Sequence, residues 1–84
     1  MEDVQLSEEF PLIVANPGRL GGKPCIKDTR ISVQILLELA ADGANIEEIL
    51  EGYPFLTKEA VNQALLFAAA QLARPAVEAP ARAR

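Results

Sequence analysis

At 84 residues the chain is one small domain at most, with no histidine, no tryptophan and one cysteine. That inventory excludes histidine acid–base catalysis, Cys/His nucleophile pairs, Cys/His metal sites and a disulfide framework. The formal net charge of -4 is unevenly spread: residues 1–10 carry acids only, Arg19, Lys23, Lys27 and Arg30 face Asp28 alone across 11–31, and Lys58 stands against six acids across 32–72. The last of these stretches is acidic enough to disfavour phosphate binding by itself.

The opening MEDVQLSEEF is an acidic segment without the basic n-region of a signal peptide. No apolar run reaches the roughly 18 residues that span a bilayer. With a lone Cys25, which suits a reducing compartment, a cytoplasmic location is expected. From Pro11 to Ala15 a short apolar run reads as a brief strand, closed by Asn16-Pro17-Gly18, where Pro fixes φ and Gly supplies φ > 0. After Gly21-Gly22, the pairs Cys25-Ile26 and Arg30-Ile31 flank Lys27-Asp28-Thr29 and predict a tight hairpin with a three-residue loop. Cys25 is then a small buried strand residue rather than a reactive thiol. Strands this short need something to pack on.

Ser32 is a good N-cap, after which Val33, Leu36, Leu37 and Ala40 fall at i, i+3, i+4 and i+7, predicting a helix over about 32–42 that ends at Asp42-Gly43. Asn45 opens a second helix, about 46–53, with Glu48 three residues on in capping-box order and Ile46, Ile49, Leu50 and Tyr53 along one face. Pro54 stops it, because the residue before a proline avoids the helical region. Thr57 caps a third helix, about 58–72, whose stripe is Val61, Ala64, Leu65, Ala68 and Leu72. Leu66, Phe67, Ala69 and Ala70 make its other sides apolar as well. A domain this small cannot bury such a helix alone, so a homodimer or higher oligomer is expected through Leu66, Phe67 and Ala70. Leaving Leu66 and Phe67 exposed would forfeit about 1.5–3 kcal/mol each. The end, ARPAVEAPARAR, has two prolines and no apolar period, and residues 73–84 read as a disordered tail.

The order Asn16-Pro17, Gly22-Lys23-Pro24-x-Ile26-Lys27-x-Thr29-Arg30-Ile31, a helix ending in Asp42-Gly43, Ile46-x-x-Ile49-Leu50-x-x-Tyr53-Pro54-x-Leu56-Thr57 and Val61-x-x-Ala64 resembles the DUF433 family across about residues 12–72. The resemblance implies an antitoxin of a bacterial toxin–antitoxin pair, commonly encoded beside a PIN-like ribonuclease toxin, and a homeodomain-like helix-turn-helix preceded by β-strands. On this reading the fold class is mainly α, a three-helix homeodomain-like bundle after a short N-terminal hairpin at 11–31. The chain departs from the family pattern at Asp28, where Gly is usual in a turn that asks for φ > 0, and at Ser32, where Pro is frequent.

The expected function is to bind and neutralise a PIN-like ribonuclease and to repress its own operon by binding duplex DNA. The alternative is a stand-alone helix-turn-helix regulator. Neither a catalytic residue nor a cofactor or metal is expected, and Glu47, Glu48 and Glu51 read as a solvated helix face. Candidate DNA or partner contacts are Arg19, Lys23, Lys27 and Arg30, although Arg30 has Asp28 and Glu38 nearby to pair with. On a recognition helix, Thr57, Lys58, Asn62 and Gln63 would face DNA; Asn62 or Gln63 could read adenine, but one positive charge leaves the phosphate clamps to other segments. In the tail, Arg74, Arg82 and Arg84 are candidates for a guanidinium set among the acidic residues of the toxin's active site, displacing its metal.

Overall fold

The structure, a computed structural model, describes residues 2–73, 75 and 77. Strands β1 (Val4–Gln5), β2 (Ile13–Ala15) and β3 (Cys25–Ile26) form an antiparallel sheet with β2 in the centre. Val4 lies opposite Ala15 and Gln5 opposite Val14, while Ile13 lies opposite Ile26 and Val14 opposite Cys25. A strand sends alternate side chains to opposite faces. Since Ile13, Val14, Cys25 and Ile26 are all buried, both faces of the β2–β3 pair are covered, and β2 therefore reads as an apolar run rather than an alternation.

Between β2 and β3 the chain makes a left-handed turn in which Leu20, Gly21 and Gly22 have φ of 55°, 64° and 83°. The two glycines adopt this region freely because they have no Cβ. After β3 a tight turn is closed by the Thr29 amide donating to the Ile26 carbonyl (3.1 Å) and the Ile26 amide donating to the Ile31 carbonyl (3.0 Å). The Thr29 hydroxyl reinforces it, donating to the Ile26 carbonyl (2.7 Å) and accepting from the Ile31 amide (3.0 Å). Asp28 sits in this turn at φ 65°, the conformation for which Gly is usual. The main strand partner of Cys25-Ile26 is β2, and the hairpin return that the sequence places at Arg30-Ile31 is shorter than expected, meeting β3 through the Ile26–Ile31 bond. Beyond the turn there is a single bridge, Cys25 to Ser32, because Ser32 is at once committed to opening a helix.

Helix α1 (Val33–Ala41) starts where the Ser32 hydroxyl accepts from the Ile35 amide (3.0 Å). It ends at Gly43, φ 98°, with the Ala44 amide donating to the Leu39 carbonyl. In α2 (Ile46–Gly52) both capping-box bonds are made, between Asn45 and Glu48, at 2.9 Å each. Helix α3 (Lys58–Gln71) is capped by the Thr57 hydroxyl on the Ala60 amide (3.1 Å). Ile13 and Ile26 from the sheet, Val33 and Leu36 from α1, Ile49 from α2, and Val61, Ala64 and Phe67 from α3 pack into one core. Phe10 stands edge-on to Phe67, centroids 6.3 Å apart.

The class is therefore α/β, and the mainly-α expectation is corrected. Three helices share their core with a three-stranded antiparallel sheet, and the strands are part of the packing rather than a preface to it. The misreading has a physical cause in the length of the strands. Two or three residues are too few to show a period of two, and β1 lies in an acidic stretch with both its residues exposed. Asp3 holds β1 in place, forming an ion pair with Arg19 and accepting from the Asn16 side-chain amide (3.2 Å). Those partners are more than ten positions away, so no local pattern announces the strand.

Candidate partner-binding surface

The four basic residues of the 11–31 stretch divide into one that holds the fold and three that face solvent. Arg19 is half-buried and its guanidinium belongs to Asp3, tying the loop after β2 to the N-terminal strand. Lys23, Lys27 and Arg30 are exposed. Lys23 donates to the side-chain oxygen of Gln34 (3.1 Å). Lys27 is anchored through its backbone, the amide donating to the Leu12 carbonyl (2.8 Å), which leaves its ammonium in solvent. Among the described residues neither Lys27 nor Arg30 forms an ion pair, so the pairing of Arg30 with Asp28 or Glu38 does not occur.

Beside this turn lies a shallow notch of about 170 Å³ to which Leu12, Ile26, Lys27, Phe55 and Thr57 contribute. Phe55 is 64% exposed and touches Tyr53 edge-on, centroids 6.1 Å apart. Phe55 is not among the contact residues that the sequence suggests. Its signal was its position between Pro54, which ends one helix, and Thr57, which caps the next; such a residue has no helical face on which to hide. An exposed aromatic ring and a lysine on one notch form a mixed apolar and cationic surface.

At the start of α3, Thr57 spends its hydroxyl on the cap, and Lys58 and Asn62 are exposed. Gln63 is engaged at both ends of its amide: the oxygen accepts from the Leu12 backbone amide (2.9 Å) and the nitrogen donates to Glu59 (3.2 Å). It ties the lead-in of β2 to α3. Of the expected oligomer contacts, Leu66 (58% exposed) and Ala70 face solvent, but Phe67 is 6% exposed and belongs to the core. Position 67 follows Val61 and Ala64 at steps of three along the buried stripe, which places it inward, whereas Leu66 falls with Asn62 on the outer side. Arg74, Arg82 and Arg84 lie outside the described residues. Glu47, Glu48 and Glu51 are exposed, Glu48 serving the α2 cap. No group of three or more metal-ligating side chains occurs among the described residues, and no helix among them is long and apolar enough to cross a membrane.

The chain is a small α/β domain with a basic turn exposed at its surface, and comparison with known proteins gives that domain a family. Residues 13–68 match the family described as protein of unknown function (DUF433), and the chain belongs to it. A solved structure of a DUF433 member from Anabaena variabilis is similar at a TM-score of 0.70 and 34% identity, over 73% of this chain and 60% of that one. The uncharacterized protein y4eO of Sinorhizobium fredii is 30% identical over 70 residues. That match takes in 83% of this chain but 31% of the relative, so the chain spans less than a third of that protein's length.

Proposed function

We propose that this chain is a non-enzymatic, cytoplasmic, antitoxin-like protein that binds and neutralises a PIN-like ribonuclease of a bacterial toxin–antitoxin pair. The observation that carries the reading is the exposed turn with Lys27 and Arg30, which are without ion-pair partners among the described residues, next to the exposed ring of Phe55. A partner rich in carboxylates would gain charge-assisted hydrogen bonds from Arg30 and Lys27, and the ring would supply apolar contact at the same place. Opposite charge also speeds encounter, and two cations without ion-pair partners among the described residues, on one turn of an acidic chain, orient that encounter.

Duplex DNA is the less favoured partner. Phosphate binding needs several cations on one face. Here Arg19 is committed to Asp3, Gln63 is engaged within the fold, and the first turn of α3 offers Lys58 beside Glu59. Repression of the operon, the second activity in this reading, therefore draws on cations from two copies or from the complex with the nuclease.

Capture of the tagged chain from its host at modest salt, followed by mass spectrometry and a nucleic-acid stain, tests the proposal. A stoichiometric PIN-like nuclease is expected. The double variant K27E/R30E is expected to retain it at least about tenfold less well, on the scale of an interface hot spot. Recovery of the chain with duplex DNA and no protein would make it a free-standing regulator.

A further inference from the structure

A second surface has no part in that proposal. Between α1 and the last turn of α3 runs an open groove of about 310 Å³ to which Pro24, Val33, Leu37, Phe67, Ala68 and Leu72 contribute, with no ionisable residue in its lining. Leu37 is 40% and Leu72 81% exposed, which leaves two large apolar side chains at its mouth. One rim of the groove is Gln34, and through it runs a chain of hydrogen bonds: Lys23 donates to the Gln34 oxygen (3.1 Å) and the Gln34 nitrogen donates to Glu38 (3.1 Å). The rim thus has a positive end at Lys23 and a negative end at Glu38, with a neutral amide between.

We infer that this α1–α3 groove is the interface with a second copy of the chain, the two copies related by a two-fold axis beside Gln34. A two-fold contact places the same patch on both sides, so whatever residue i meets in the other copy must meet i in return. A rim with one charge sign would oppose itself in such a pairing. This rim lays Lys23 of one copy against Glu38 of the other, twice over, and is self-complementary. The floor of the groove adds no repulsion because it has no charge, although each copy carries a net -4. The groove, and not the outer side of α3 with Leu66 and Ala70, is then where the chain meets its copy: on that outer side Leu66 is the one large exposed apolar side chain, set among Glu59, Asn62 and the small Ala69 and Ala70.

Sedimentation equilibrium of the purified full chain across the micromolar range reads the association without any nuclease, so its outcome is separate from that of the functional proposal. A concentration-dependent dimer is expected. L72E should weaken it at least about tenfold, whereas L66E should leave it within about twofold. K23E and E38K should each weaken the dimer, and K23E/E38K in one chain should restore it, because the two-fold then apposes the reversed charges. Thermal melts of each variant show that the fold survives. A monomer at all concentrations, a dimer broken by L66E and untouched by L72E, or a double reversal no better than its singles would overturn the inference. So would a full chain that stays monomeric while a chain ending at Ala73 dimerises, since the groove would then be occupied by the chain's own tail.

Discussion

The helical and the sheet halves of this molecule are specified over different distances. Ser32, Asn45 and Thr57 each open a helix by accepting from an amide three residues on. β1 depends instead on Asp3 reaching Asn16 and Arg19, and β2 on Gln63 reaching back to the Leu12 amide across 51 positions. Short-range bonds form with little chain closure, whereas long-range ones exist only once the rest of the fold has brought their ends together. The helices are thus the locally encoded part, and the sheet is a product of tertiary assembly.

The largest effect that can test this contrast lies within two adjacent residues of α3. Phe67→Ala should cost about 3–5 kcal/mol in urea unfolding, because it opens a cavity where helix, sheet and Phe10 meet. Leu66→Ala should stay within about 0.5 kcal/mol in the monomer. Equal costs would mean that the core is not organised around the inward face of α3. Next in size, Gln63→Leu should lose about 1–3 kcal/mol by leaving the Leu12 amide unpaired. Hydrogen exchange should show that loss concentrated in β2, and uniform weakening of all elements would argue against the long-range tether.

Asn45→Ala removes one capping bond of α2 and should cost about 1 kcal/mol, visible as faster exchange in the first turn of α2 while the sheet is unchanged. The smallest effect has the opposite sign. Asp28→Gly should stabilise by a few tenths to about 1 kcal/mol, because at φ 65° a side chain is strained and glycine is not. The added freedom of glycine in the unfolded chain limits the gain. A loss of stability there would indicate that the Asp28 side chain itself holds the turn.

The same contrast accounts for what was legible beforehand. The three N-caps and the terminal Gly43 are properties of a few neighbouring residues, the positive φ at position 28 was implied by the family resemblance, and all are present in the structure. β1, the pairing of Cys25-Ile26 with β2 and the α/β class were not legible, since each rests on contacts between distant segments. Among site residues, the burial of Cys25 followed from residue type. The removal of Arg19 and Gln63 into the fold did not, because an arginine and a glutamine look equally available for a ligand until their partners are placed. Phe67 shows the cost of reading α3 as apolar all round: the helix has one buried stripe, and the position that seemed outward lies on it.

The central claim is that the free cations of the turn after β3 meet an acidic nuclease. Its most direct test is a titration of RNA cleavage by the captured nuclease with this chain and with K27E/R30E. Cleavage should fall to background near one chain per nuclease for the unmodified protein, with at least about tenfold more of the variant required for the same effect. Equal inhibition by both would contradict the role of the turn, and undiminished cleavage with either would contradict the antitoxin reading itself.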